Sequence, residues 1–318
     1  MKKGTFSGYF SLLFFMLSSE ITSAQIIHPA QTDSYSTNPR LILDSYTFGG
    51  SIKTWFNKDD GSLLVFDKIT ETIDTIATLH SGFFEPTTNG FYVFGDGLSF
   101  VNIRDTTITP IDWNTTNEFI QYFKLIHSTK AVLLVFSAYQ PQYYVLDLKT
   151  TKSKPIRNPD PYEKPVGIEV IGDHIFMATT HTFHTTLLES GKWLKLAEKS
   201  SDTDWINGIT ASKKEVFLST DKGFIFRFDG KEPVAELTQL NNTPPFLFTI
   251  FESSQNGTLA VAFENRIAIY KPKLNDWQEI PVYKLTSLVG EIRKINFIND
   301  ETLLITTGQS FGLVSIKD

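Results

Sequence analysis

The chain contains no cysteine among its 318 residues. That absence excludes disulfides, thiolate zinc and iron–sulfur sites, cysteine nucleophiles and the lipid-modified cysteine of a bacterial lipoprotein. Basic residues are also few: 29 Lys and Arg stand against 35 Asp and Glu, for a net charge of −6, and no block of basic residues interrupts the chain. Nucleic acid is therefore not an expected partner. After the N-terminal segment no apolar run approaches the roughly eighteen residues that cross a bilayer, so no membrane span is expected in the mature chain. The G-x-S-x-G, H-E-x-x-H, P-loop and dinucleotide fingerprints are missing too, which removes common signatures of serine hydrolases, zincins and nucleotide enzymes. No cofactor is expected.

What is present supports a large core. With 41% hydrophobic and 14% aromatic residues, the composition rules out a disordered chain. Lys2 and Lys3 precede the apolar run Tyr9 to Leu17, followed by polar Ser18 to Glu20 and the small residues Thr22 and Ala24. This is the layout of a secretory signal peptide cut before Gln25. Residues 1–24 are accordingly expected to be removed, leaving residues 25–318 as a single domain in a secreted or periplasmic protein. The mature chain then has 294 residues and a net charge of −7, because two lysines and one glutamate leave with the signal.

Short β-rich runs recur between turn residues: Leu63 to Phe66, Phe91 to Phe94, Ala131 to Phe136, Tyr143 to Leu146, Glu215 to Leu218 and Phe224 to Phe228. Three end alike, in Val65-Phe66-Asp67, Val145-Leu146-Asp147 and Arg227-Phe228-Asp229, spaced by 80 and 82 residues. Anchors at Asp67, Arg104, Asp147, Glu189, Asp229, Lys271 and Lys317 divide the chain into seven units averaging 42 residues. In the fifth unit the strands read Ile206 to Ala211, Glu215 to Thr220, Gly223 to Asp229 and Pro233 to Leu237. In the sixth they read Phe246 to Phe251, Thr258 to Phe263, Arg266 to Lys271 and Trp277 to Val282.

Four strands per forty-odd residues is the dimension of a propeller blade, and a periodicity of this kind marks a repeat architecture. The fold class is therefore all-β: a β-propeller of seven four-stranded blades. The aspartates closing the third strands are read as turn formers, each accepting a backbone N–H two residues on. The seventh unit runs out of chain before a fourth strand, so the mature N-terminal segment Gln25 to His28 is expected to pair there and close the ring.

Two resemblances follow from these residues. Glu215-Val216-Phe217-Leu218-Ser219-Thr220-Asp221-Lys222-Gly223-Phe224-Ile225-Phe226-Arg227-Phe228-Asp229 resembles the two-component-regulator propeller repeat, with Thr220, Gly223 and Asp229 on its Thr, Gly and Asp and Phe217 where that family has Trp. Leu64-Val65-Phe66-Asp67-Lys68-Ile69-Thr70-Glu71-Thr72-Ile73 is similar to the V-S-V-I-D-x-x-T-x-x-V run of bacterial YVTN-type (WD40-like) surface propellers. Both resemblances imply a secreted bacterial seven-bladed propeller. Regulator propellers form the sensing half of membrane-spanning kinases, but no transmembrane helix or kinase motif follows the last unit, so kinase activity is not implied.

Candidate chemistry is sparse. The loop Asn57-Lys58-Asp59-Asp60-Gly61 sets Lys58 where a calcium loop needs an oxygen, and it reads as a hairpin turn. His174, His181 and His184 lie within eleven residues, but no nearby carboxylate completes a ligand set, so no metal site is expected. Trp193 and Trp277 open fourth strands and are expected to pack on the neighbouring sheet.

Propellers bind at the face formed by the loops entering each inner strand and those joining the second and third strands. Trp113, Tyr162, Trp205 and Phe246 fall on or beside the first set, and Tyr139, His181, Asp221 and Arg266 on the second. Exposed aromatics mixed with polar groups suit a peptide, glycan or protein partner. The expected function is a non-catalytic binding, sensory or scaffold module. Two alternatives stay open: a propeller-fold polysaccharide lyase or glycoside hydrolase, marked by paired carboxylates in the central pocket, and an envelope assembly subunit.

Overall fold

A computed structural model describes residues 25–27, 41–48, 51–113, 118–137, 140–198, 205–230, 234–239, 250–263, 266–272, 274–280, 288 and 291–316. The proposed signal segment, Tyr139 and Phe246 lie outside them. The described residues contain no helix, and so none long and apolar enough to cross a membrane.

Seven antiparallel four-stranded sheets follow one another along the chain. Their innermost strands are Ile42–Thr47, Gly82–Pro86, Phe119–His127, Pro165–Ile171, Ile206–Ala211, Ile250–Ser253 and Ile292–Asn299, in blades 1 to 7. In blade 7 the fourth strand is Gln25–Ile27, which pairs antiparallel with Phe311–Ser315, Gln25 opposite Leu313 and Ile27 opposite Phe311. A strand edge that would face solvent is covered in this way.

The second strand of each blade shows why the units stack. Side chains alternate across a strand, so a strand buried on both faces reads as a continuous apolar run. In blade 3, Ala131, Leu133 and Val135 join the core shared with blade 2, whereas Val132 and Leu134 join the core shared with blade 4. Each of the seven hydrophobic clusters lies between two adjacent blades, and the one between blades 7 and 1 joins Ile42, Phe56 and Phe66 to Leu304 and Phe311. The ring is closed by packing as well as by strand pairing.

Turn chemistry agrees with the sequence reading in part. Asp67 accepts the N–H of Ile69 at 2.9 Å, and Asp147 that of Lys149 at 3.0 Å. In blade 2 the residue that does this is Asn102, which accepts the N–H of Arg104 at 3.0 Å, so the anchor at Arg104 stands two residues late. An asparagine oxygen caps the turn as an aspartate does, and a search for aspartate passes over it. The Asn57-to-Gly61 segment is a hairpin turn: Ser62 donates to Asp60 at 2.9 Å, and Gly61 takes a φ of 82° that favours glycine. The inner strand of blade 6 is described over Ile250–Ser253; its expected start at Phe246 lies outside the described residues.

Candidate functional site

Two places gather polar side chains beyond what the fold requires. The first is on the loop face of blades 4 and 5. His181 occupies the turn between His174–Thr179 and Thr182–Leu187, with Tyr162 and Glu163 on the loop entering blade 4. The Glu163 carboxylate accepts from the Thr180 hydroxyl at 2.8 Å and lies 2.7 Å from His181 Nδ1. The hydrogen bond to His181 holds that carboxyl below its usual range, with Thr180 assisting.

The His181 ring meets the Trp205 indole edge-on at 6.4 Å. Trp205 is clamped to the turn of the next blade, because its N–H donates to Asp221 Oδ1 at 2.9 Å and its carbonyl accepts from the Asp221 N–H at 3.0 Å. Tyr162 is 97% exposed and Trp205 46% exposed. Four of the eight sequence-predicted residues, Tyr162, His181, Trp205 and Asp221, thus share one stretch of surface.

The remaining predicted residues fall elsewhere. Trp113 packs edge-on against Tyr144 at 6.0 Å beside the core between blades 2 and 3, so it serves as a wall. Arg266 begins the third strand of blade 6 and is ion-paired with Glu279 across the sheet. Trp193 meets Tyr143 of blade 3 at 6.2 Å, as expected of a residue packing on the neighbouring sheet. Trp277 likewise packs against the core shared by blades 5 and 6, which includes Phe217 and Ile225 of the neighbouring sheet, and meets its register partner Tyr270 at 5.1 Å in a tilted arrangement.

One correction concerns the histidines. Carboxylates do stand beside both His181 and His184, because the loop entering blade 4 folds back over them: Glu163 meets His181, and Asp160 lies 3.4 Å from His184 Nε2. Asp160 also accepts from the Thr182 hydroxyl at 2.6 Å. Among the described residues no group of three or more candidate ligands forms a metal site.

The second place is the axis, which sequence reasoning missed. Each inner strand is paired on one side only, leaving backbone groups facing the channel without a ladder partner. Side chains from the preceding blade supply partners. The Phe84 N–H donates to Asp44 at 2.8 Å, the Leu125 N–H to Glu85 at 3.3 Å and the Ser253 N–H to Thr210 at 3.0 Å. Asn296 donates to the Ser45 carbonyl at 3.1 Å, and the Tyr122 hydroxyl to the Val166 carbonyl.

Strand register places one polar residue per blade at the same level: Tyr46, Glu85, Lys124, Glu169, Thr210, Glu252 and Asn296. Lys124 sits between Glu85 at 3.7 Å and Glu169 at 3.3 Å. One layer above, Lys294 is ion-paired with the fully buried Asp44. Among the described residues, Glu169 and Glu252 make no such bond to the next blade. Burial pushes the carboxyls of both up to about 7, against the pull of Lys124. The same burial, with Glu85 and Glu252 nearby, raises the Tyr46 hydroxyl.

Seven radial four-stranded sheets around a lined axis define a seven-bladed β-propeller, all-β throughout the described residues. Among solved structures the chain is similar to the WD40 β-propeller domain of Doa1, with a TM-score of 0.66 at 10% identity, over 89% of this chain and 95% of that one. At such identity the likeness is one of fold. No family model matches the chain, and no curated protein sequence matches it.

Proposed function

We propose that the protein is an exported binding module that takes a protein segment on the loop face of blades 4 and 5. The observation that carries this reading is the joining of exposed Tyr162 and Trp205 to a fixed set of polar groups, His181, Glu163 and Asp221. Rigid aromatic anchors beside oriented hydrogen-bonding groups are the usual make-up of an interface hot spot. The carboxylates of Asp160, Glu163 and Asp221 favour a segment bearing basic and apolar side chains. Export rests on the N-terminal layout of Lys2, Lys3 and the run Tyr9 to Leu17.

A peptide array of basic-aromatic sequences tests this. Bound peptides are expected to weaken by about 30-fold in the double variant Tyr162→Ala/Trp205→Ala, as for the loss of one or two hot spots. Melting should be unchanged, since both side chains are exposed. Peptides that bind the double variant as tightly as wild type would dismiss this surface.

The competing reading is a carbohydrate-active enzyme. It is favoured by the placing of Glu85, Glu169 and Glu252 around the axis, two of them with carboxyls in the range of a general acid. It requires reducing sugar or an unsaturated product released from a polysaccharide panel, and loss of that release in Glu169→Gln. A silent wild-type protein would remove this reading.

A further inference from the structure

A third surface lies at the outer junction of blades 3 and 4, where a groove of about 470 Å³ opens between the two sheets. Its floor is the rim of their shared core, formed by the partly buried side chains of Val145, Ile156 and Leu188. The walls add Lys130, Lys152, Lys154 and Arg157, against the carboxylates of Asp147 and Glu189. In a chain with a net charge of −6, this is a local surplus of the opposite sign. Tyr162, His181 and Trp205 do not line it.

The cations follow the spacing of a strand. Ser153–Ile156 is the fourth and outermost strand of blade 3, with Lys154 opposite Val145 and Ile156 opposite Tyr143. Side chains alternate across a strand, so Lys154 and Ile156 share the face that Val145 and Tyr143 turn toward blade 4. Lys152, whose carbonyl accepts the Asp147 N–H at 3.0 Å, extends the row by one position. Successive members are about 6.6 Å apart.

Much of this charge is uncommitted. The Asp147 carboxylate is engaged in its own turn, accepting the N–H of Thr150 at 2.9 Å and of Lys149 at 3.0 Å, and Lys130 stands opposite it in register. Lys152, Lys154 and Arg157 are exposed, and none has an ion-pair partner among the described residues. Like charges held side by side repel, so the row opposes folding slightly until an anion covers it.

The complement of this groove carries acidic groups at strand spacing and an apolar group for the floor. An extended peptide presents every second side chain on one side, which matches the spacing of Lys152 and Lys154. Polyuronates and nucleic acids supply the charge but no apolar side chain to meet Ile156 and Leu188. We infer that the groove between blades 3 and 4 binds an extended acidic segment of a partner protein, with acidic side chains on Lys152, Lys154 and Arg157 and an apolar one on the floor. This surface is separate from the loop face of blades 4 and 5, and the two prefer partners of opposite charge.

The test is fluorescence anisotropy of a labelled eight-residue peptide of alternating glutamate and valine, titrated with the full chain at neutral pH. Its glutamine counterpart and an isomer with the four glutamates contiguous serve as controls, and hexagalacturonate and a short single-stranded oligonucleotide as competitors. The alternating peptide is expected to bind at one site about tenfold more tightly than either control, and to weaken about tenfold as salt rises from about 20 to 200 mM. Lys152→Glu/Lys154→Glu should weaken it by about 30-fold without lowering the melting temperature, since both side chains are exposed. Tyr162→Ala/Trp205→Ala should leave it unchanged, which tells failure of this surface from failure of the loop face. No binding at several hundred micromolar chain, equal binding of either control peptide, stronger competition by hexagalacturonate or the oligonucleotide than by unlabelled peptide, or full affinity in the charge-reversed variant would each overturn the proposal.

Discussion

Replacing Lys124 by methionine is expected to destabilise the propeller by about 2 kcal/mol near neutral pH, a fall in melting temperature of several degrees, because it leaves half-buried carboxylates without their cation. Methionine keeps the length and packing of the lysine stem, so the loss reports the charge. Glu85 and Glu169 would face each other across the space that Nζ fills, with Glu252 opposite. The sign of the pH dependence follows from the carboxyls. Folding raises those of Glu169 and Glu252 from 4.5 to about 7, so the folded state binds more protons than the unfolded chain between those values. Their favourable contribution is therefore greatest in mild acid and declines as the pH rises through about 7.

Without Lys124 both carboxyls must rise further. The variant is accordingly expected to lose most at pH values above neutrality and to recover much of its stability near pH 5, where the carboxyls are neutral. His184 works in the other sense. Burial lowers its imidazole, so what it contributes is lost as the pH falls below its usual value of 6.5. It is unaltered in the variant, so the difference between variant and wild-type melting curves across this range isolates the axial carboxyls. A deficit that is constant from mild acid to mild alkali would show that Lys124 acts by packing and not by charge.

The parts of this molecule that were legible in the sequence are those in which one residue type repeats. Runs such as Ala131 to Phe136 give away a strand buried on both faces, and the turn aspartates Asp67 and Asp147 mark its period. Asn102 performs the same turn chemistry with another residue and so displaced one boundary. The axial girdle was hidden for a related reason. Its seven positions recur at intervals of 39 to 45 residues, but are filled by Tyr, Glu, Lys, Glu, Thr, Glu and Asn, which share polarity and little else. A strand that is half apolar tolerates a single charge without comment, and only register shows that the charges converge.

The loop-face cluster was half legible. Tyr162, His181, Trp205 and Asp221 were found because propeller loops can be counted, while Glu163 was missed because its partner His181 is 18 residues away along the chain. The carboxylate is brought back by the loop that enters blade 4. Distances of this kind are set by how a loop folds over its own blade, which strand periodicity does not encode.

Asp44→Ala is the second large effect, expected to cost about 3 to 5 kcal/mol, the range for breaking a buried charged pair that is also hydrogen-bonded. Asp44 has no exposed surface and links three blades. It belongs to the inner strand of blade 1, accepts the N–H of Phe84 in blade 2 and pairs with Lys294 of blade 7. Alanine leaves the Phe84 N–H buried without a partner and Lys294 without its counter-ion. Asp44→Asn separates the two losses, since its amide oxygen can still accept from Phe84 while the charge is gone. A smaller fall is expected for the asparagine variant, together with the loss of protection of the Phe84 amide from hydrogen exchange in the alanine variant alone. Protection retained by the alanine variant would place the ring-closing contact elsewhere than at Asp44.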